Sequence, residues 1–175
     1  MIVMIPKTSF KEFEKDFHQM TGDSIKKLVM AKIVETPAYV VKELGLEFPP
    51  GQSLLWGLLI FGRQGIHFFV HASESALATM FRNATNGKPP REQYLYIPRE
   101  SLHTLEPLSQ EQGIFSLKRL LPFLKEKPRF LKIQFHQESQ QPGENYTLIL
   151  EPIAGLDEIT PLLQDFFAEP SLSEG

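Results

Sequence analysis

The apolar segment SLLWGLLIFGRQGIHFFVHAS, which begins at Ser53, limits what this chain can fold into more than any other feature. Its longest unbroken apolar run, residues 54–61, has eight residues, whereas a membrane-spanning helix needs about 20. Apolar residues recur at every second position on both sides of a short polar turn, which is typical of a β-hairpin. Because the positions between them are also largely apolar, both faces of the hairpin are expected to be covered. Three of its aromatic side chains are predicted to help bury the last helix: Trp56, Phe68 and Phe69.

Residues 1–50 are predicted to form a helical N-terminal extension. Thr8 or Ser9 can cap a first helix that ends at Gly22, and a second helix is predicted from Asp23 or Ser24 to Ile33. Their apolar stripes are Phe10, Phe13, Phe17 and Met20 in the first helix, and Ile25, Leu28, Val29 and Ile33 in the second. We expect both stripes to pack on the body of the protein, with a homodimer through these helices as the alternative.

Strand patterns continue after the hairpin. A helical insertion near residues 73–92 comes first, and five candidate strands follow: QYLYIP, SLHTLEP, GIFSLKRL, RFLKIQFH and NYTLILEP. With the hairpin these make seven strands. Residues 155–167 then place four apolar side chains on one face of a final helix: Leu156, Ile159, Leu163 and Phe166. Residues 169–175 are a polar tail.

Seven short strands followed by one amphipathic helix, over about residues 54–167, resemble the pleckstrin-homology (PH)-like superfold. The segment GLLIFGRQGIHFFV is similar to the paired strands that open bacterial PH-like and GRAM-type domains, and YLYIPRESLHTLEP is similar to their next strand pair. The residues from RFLKIQFH to LLQDFF are similar to their closing hairpin and helix. The resemblance implies an α+β fold over residues 51–168: a barrel of about seven antiparallel strands capped by a C-terminal helix. Members that bind phosphoinositides carry several basic residues around the first hairpin loop, where this chain has Arg63 alone.

The sequence contains none of the motifs that indicate a common catalytic or metal site. There is no Gly-x-Ser-x-Gly elbow, no phosphate-binding glycine loop and no His-Glu-x-x-His pair. The chain has no cysteine, which excludes thiolate zinc sites and a cysteine nucleophile. His67 and His71 would lie about 13 Å apart in a strand, too far to share a metal. We therefore expect no enzymatic activity, no cofactor and no metal, and we interpret the histidines as structural.

Charge is distributed unevenly along the chain. Residues 133–175 contain eight acidic residues and no lysine or arginine, although the net charge of the whole chain is only -3. The segment of residues 118–132 contains six basic residues and a single acidic one. These six are the candidate binding residues: Lys118, Arg119, Lys125, Lys127, Arg129 and Lys132. They are suited to an anionic membrane surface, to an acidic partner protein or to pairing with the acidic C-terminal region of the same chain.

The sequence as a whole favours a non-enzymatic adaptor that binds a protein or peptide partner. The first alternative is peripheral binding to anionic lipid through residues 118–132, and the second is a small-molecule binder or enzyme that uses an apolar cavity. Nucleic acid is disfavoured as a partner because the pI is ≈ 6.0 and the basic run is short. The few apolar residues before Pro6 are too short for a signal peptide, so a cytoplasmic location is expected.

Overall fold

The computed structural model of this protein describes residues 10–49, 51–70, 91–108, 129–136 and 145–168. Three helices lie within these residues: α1 (Phe10–Thr21), α2 (Ala38–Glu43) and α3 (Thr160–Ala168). Seven strands lie there as well: β1 (Ile25–Val34), β2 (Leu55–Gly62), β3 (Gly65–Val70), β4 (Gln93–Pro98), β5 (Leu102–Leu108), β6 (Phe130–His136) and β7 (Asn145–Pro152). A 3₁₀ turn at Arg99–Ser101 connects β4 to β5.

The seven strands form a single antiparallel sheet in the order β4-β3-β2-β1-β7-β6-β5. β1 is the central strand, because it pairs with β2 along one edge and with β7 along the other. β4 and β5 form the two ends of the sheet, which is therefore not closed by hydrogen bonds between its end strands. Together with the three helices, this sheet makes the fold α+β, as the sequence predicted.

The predicted hairpin is confirmed. β2 and β3 are antiparallel neighbours joined by Arg63 and Gln64, with Phe61 opposite Ile66 and Leu58 opposite Phe69. The two-residue turn between apolar strands is the connection that such a sequence favours. Gly57 lies at a crowded point of β2, since a Cβ atom there would come within 2.6 Å of the Phe68 ring. A glycine at this position therefore lets the Phe68 ring lie directly on β2.

The prediction of a second helix before Ile33 is wrong, because residues 25–34 form β1. Val29, Ala31 and Ile33 alternate into the core and are 5% exposed or less. The apolar residues of this segment also fit a helical spacing, but four of its ten residues are isoleucine or valine, which favour strands. Hydrogen bonding to β2 on one side and to β7 on the other makes this segment a strand rather than a helix. A homodimer through the N-terminal helices stays a prediction.

The first and last helices are confirmed. α1 ends at Thr21, and Gly22 follows with a φ of 72° that favours glycine. In α1 only Phe17 is buried, so most of the predicted apolar stripe is not used in packing within the described chain. The last helix begins at Thr160, later than predicted, and two turns precede it. The four side chains predicted for its inward face all belong to the core: Leu156, Ile159, Leu163 and Phe166.

One face of the sheet packs against α3 and the segment around α2 to form a single core. Phe68 belongs to it and is 2% exposed, and the Phe61 and Phe166 rings meet at 6.1 Å, which links β2 to α3. Trp56 was predicted to take part, and this prediction is wrong because it lies on the opposite face and is 45% exposed. Alternation along β2 places Trp56 and Leu55 on different faces.

Some predictions fall outside the described residues. They concern the insertion near residues 73–92, the strand predicted at GIFSLKRL and the tail at residues 169–175. Within the described ranges, none of the helices has the length and apolar character needed to cross a membrane.

The two neighbouring phenylalanines of β3 provide a test of which sheet face is the core. Phe68→Ala is expected to lower the free energy of unfolding by about 3–5 kcal/mol, because it removes a fully buried ring. Phe69→Ala is expected to lower the free energy of unfolding by clearly less, since Phe69 lies half-buried on the other face. Urea unfolding followed by circular dichroism measures both values. Equal losses in the two variants would contradict this assignment of the faces.

Candidate functional site

Asp23, between α1 and β1, is a carboxylate that is 1% exposed. Its Oδ1 atom accepts hydrogen bonds from the backbone N–H groups of Ser24 (2.7 Å), Arg63 (2.8 Å) and Gln64 (3.0 Å). Gly62 makes room for it, because a Cβ atom there would overlap with the carboxylate. Asp23 therefore fixes the start of β1 to the turn between β2 and β3.

The Asp23 carboxylate remains charged although it is buried. Burial alone would raise the pKa of this carboxyl, but the hydrogen bonds from His67 and from the backbone N–H groups lower it more. The pKa of Asp23 consequently lies below its ordinary value. At neutral pH the group is a fixed negative charge that only accepts hydrogen bonds.

His67 on β3 connects this carboxylate to the outer side of the sheet. Its Nε2 atom lies 3.0 Å from Asp23 Oδ2, and its Nδ1 atom lies 2.8 Å from the Tyr94 hydroxyl. Because a carboxylate only accepts, Nε2 carries the proton that it donates to Asp23. In the neutral imidazole Nδ1 then accepts from Tyr94 O–H. Phe17 and Tyr96 hold the ring from two sides, at centroid distances of 4.9 and 4.7 Å.

This Asp23–His67–Tyr94 chain has the same order of groups, carboxylate, imidazole and hydroxyl, as a hydrolytic triad. However, burial, followed by the neighbouring Tyr96 and Asp23, raises the pKa of Tyr94 to about 12. The phenol therefore keeps its proton at neutral pH and is a poor nucleophile. Whether Tyr94 donates to Nδ1 or accepts from it, the phenol oxygen keeps at least one lone pair. Tyr94 can therefore accept a hydrogen bond from whatever covers this face.

A row of apolar side chains crosses the outer face of the sheet, on the side opposite the core. Met30 lies opposite Leu58, Leu58 opposite Phe69, and Phe69 opposite Tyr94. The N–H of Ile153 donates to the carbonyl of Met30 (2.9 Å), which extends the row beyond the end of β7. We call these five residues the outer row. Four of them lie on the consecutive strands β1 to β4, the fifth follows β7, and none of the five side chains is charged.

Trp56 lies beside the outer row, and next to its ring is a group of three charged side chains that pair with one another. Lys32 Nζ lies 5.2 Å above the Trp56 ring and 2.7 Å from Glu151, and Arg129 donates to the same carboxylate. Burial would raise the pKa of Glu151, but the hydrogen bonds from Lys32 and Arg129 outweigh it and leave the pKa lowered. The ionised Glu151 thus offsets one of the two positive charges beside Trp56.

The outer face, defined as the outer row with Trp56 and Tyr96, carries most of the exposed large apolar surface of the described residues. Five of the eight strongly exposed large hydrophobic residues lie on it, between 37% and 60% exposed: Met30, Trp56, Tyr94, Tyr96 and Ile153. At about 200 Å² per large side chain, these exposed fractions correspond to roughly 450 Å². A patch of this size on a monomer is often functional.

Two of the six predicted binding residues lie in the described part of the chain. Arg129 precedes β6 and donates to Glu151, and Lys132 lies 2.8 Å from Glu106 on the neighbouring strand β5. Both are therefore paired within the protein. The other four lie outside the described residues: Lys118, Arg119, Lys125 and Lys127.

The described histidines have partners within the protein. His67 is buried between Asp23 and Tyr94, and the rings of His103 and His136 meet at a nitrogen separation of 3.2 Å. His71 lies outside the described residues. Among the residues that the structure describes, no three histidine, aspartate or glutamate side chains are grouped so that they could hold a metal ion.

An open cleft of about 470 Å³ lies next to the charge cluster. Its lining residues are Lys32, Val34, Glu35, Thr36, Ser53, Leu54, Arg129, Phe130 and Glu151. Because both cations in this lining pair with Glu151, the cleft is a weak candidate for binding an anion.

Sequence reasoning missed Asp23 and the outer row. Asp23 looked like a helix cap, since its partners Arg63, Gln64 and His67 are 40 or more residues away in sequence. The outer row left a weak signal in the segment QYLYIP, where the alternation places Tyr94 and Tyr96 on the same strand face. A polar hydroxyl at two such positions is typical of a face that reaches solvent.

Comparison with known proteins places this chain in no family. No family model matches it, and no curated protein matches it. Among solved structures it is similar to the C-terminal domain of an unknown protein from Leishmania infantum, with 13% sequence identity. The match covers 90% of this chain and 96% of that chain, with a TM-score of 0.44.

Replacing the buried carboxylate tests its role as an anchor. Asp23→Asn is expected to lower the free energy of unfolding at pH 7 by about 1.5–3 kcal/mol, the usual contribution of hydrogen bonds to a charged group. Because folding lowers the pKa of Asp23, the parent protein loses this stabilisation as the pH falls from about 3.9 through the lower folded value. The difference between variant and parent should therefore shrink in acid.

Thermal unfolding between pH 7 and pH 3 measures this difference. Asp16→Asn, at an exposed position on α1, is the matched control and should behave like the parent. A constant difference between Asp23→Asn and the parent over the whole pH range would show that the charge of Asp23 does not stabilise the fold.

Proposed function

We propose that this chain is a non-enzymatic interaction module with a PH-like barrel, and that its outer face binds an apolar, uncharged protein surface. The observation that carries the proposal is the outer row, which crosses the four strands β1 to β4, continues to Ile153 after β7, and leaves Met30, Tyr94 and Ile153 exposed. Trp56 adds a large, half-exposed ring next to it. Tryptophan, tyrosine and methionine are enriched at the centres of protein interfaces.

The strand order supports the PH-like part of the proposal. Seven antiparallel strands are followed by one helix that packs into the core, as in the superfold that the sequence resembles. The first strand of this arrangement is β1, so the module would begin near Ile25 and include the strand pair β1 and β2. β1 lies between β2 and β7 and would be shared by the two halves of a barrel.

The charges on the outer face support an uncharged partner. Lys32 and Arg129 share the carboxylate of Glu151, so the cluster beside Trp56 keeps a single net positive charge at the margin of the face. Tyr94 is uncharged at neutral pH, because its pKa is raised to about 12. Burial of apolar surface is then the main source of affinity.

The two alternatives receive less support. Of the basic segment proposed for membrane binding, Arg129 and Lys132 are paired with carboxylates on neighbouring strands. Such pairing reduces the attraction to anionic lipid. For an enzyme, the nearest approach to a catalytic arrangement is the Asp23–His67–Tyr94 chain, whose phenol stays protonated at neutral pH.

Site-specific photocrosslinking tests the proposed function. The photoreactive amino acid p-benzoylphenylalanine is placed at Met30, on the outer face, in the full chain expressed in the cells that naturally produce it. We expect discrete protein adducts, and we expect Trp56→Arg in the same chain to remove them. Tyr39→Arg is the control, because Tyr39 on α2 is 66% exposed and does not belong to the outer face.

The outcomes separate the alternatives. Adducts that disappear in Trp56→Arg but persist in Tyr39→Arg support a protein interface at the outer face. No adduct, or adducts that persist in Trp56→Arg, would overturn the proposal. Adducts with lipid alone would also overturn it and would favour the membrane alternative.

A further inference from the structure

We infer that the protein that covers the outer face is a second copy of this chain, related to the first by a two-fold axis. The inference rests on the proposed function, since it names the occupant of the same face. In a two-fold interface each residue that contacts a second residue is contacted by it in return, so the face must be complementary to itself. Three properties of the outer face meet this requirement.

The first property is the balance of charge. A two-fold interface brings together two faces with the same net charge, so a large excess of one sign would repel. On the outer face Lys32 and Arg129 both pair with Glu151, which leaves one net positive charge at the margin beside Trp56, and the outer row itself is uncharged. Because this single charge lies at the margin, where solvent and salt screen it, its cost to association is small.

The second property is a complementary pair of polar groups. The Tyr94 hydroxyl is hydrogen-bonded to His67 Nδ1, and in either direction of that bond its oxygen keeps a lone pair that can accept from outside. Trp56 is 45% exposed, and its indole N–H can only donate. The two residues lie on β2 and β4, separated by β3, which is about 10 Å across two strand spacings. In a two-fold pair, Trp56 of each copy would meet Tyr94 of the other.

The third property is area. α1 lies against this face, with its Phe17 ring 6.1 Å from Phe69, and its stripe leaves Phe10 and Met20 more than half exposed. Adding these two residues to the five exposed residues of the outer face gives about 700 Å² per copy, at about 200 Å² per side chain. This is close to the ~800 Å² per partner of a standard stable interface.

The single tryptophan provides a direct measurement, because Trp56 is the only one in the chain. On dilution of the full-length protein we expect the emission of Trp56 to shift to longer wavelength as the indole becomes exposed to water. Sedimentation velocity should show a dimer changing to a monomer over the same concentration range. Met30→Asp should raise the dimer dissociation constant at least 100-fold, whereas Tyr39→Asp should leave it unchanged.

A double-mutant cycle tests the polar contact between the copies. Trp56→Phe and Tyr94→Phe each remove one member of the pair while keeping a ring, and each should weaken the dimer about 3- to 30-fold. The double variant should weaken it no further than the stronger single variant, as for two groups that share one contact. Independent, additive effects would overturn the Trp56–Tyr94 pairing. Circular dichroism verifies that each variant is folded.

The results also distinguish this inference from the proposed function. A chain that stays monomeric at all concentrations overturns the second-copy inference, and so does a dimer that Met30→Asp leaves intact. If Met30 still crosslinks specifically to another protein in either case, the proposed interaction module remains. A dimer weakened by Met30→Asp but not by Tyr39→Asp supports both.

Discussion

The pairing of β1 along both of its edges is the constraint on which the rest of this structure depends. Ile33, which is fully buried, lies opposite Leu55 on one side and opposite Leu150 on the other. Without β1, the hairpin of β2 and β3 would have no hydrogen-bonded connection to β7 and β6. The core face and the outer face are both continuous only because this strand joins the two halves of the sheet.

The buried carboxylate of Asp23 connects this framework to the outer face. It fixes the start of β1 to the hairpin turn through three backbone N–H groups, and it accepts a hydrogen bond from His67 Nε2. This contact holds the ring so that Nδ1 lies 2.8 Å from the Tyr94 hydroxyl on β4. A group that stabilises the fold thus also positions, through His67, a residue that is 39% exposed. Stability and recognition are coupled at this point of the sheet.

The sequence predicted the elements whose signal is local. The β2–β3 hairpin and the inward face of α3 follow from alternation, from turn residues and from helical spacing, which need only neighbouring residues. A helix was predicted in place of β1, because the apolar residues of this segment fit a helical spacing: Ile25, Leu28, Val29 and Ile33. Its strand conformation depends on hydrogen bonds to β2 and β7, which the local sequence does not reveal. Asp23 and His67 are 44 residues apart, so their contact leaves no pattern in the sequence. Trp56 was assigned to the core because apolar character alone does not distinguish a buried face from an interface.

A sheet with an exposed apolar face can associate without limit if further strands add to its ends. Features of the two end strands, β4 and β5, oppose such addition. The start of β4 is occupied, since the Gln93 side chain exchanges two hydrogen bonds with the backbone of Glu47. β4 ends at Pro98 and β5 contains Pro107, and neither proline can donate a backbone hydrogen bond. These features hinder the addition of further strands at the ends of the sheet, which would lead to open-ended aggregates. The two-fold pair that we infer would instead cover the outer face of each copy with the other, so blocked sheet ends are compatible with a closed pair and oppose an open-ended assembly.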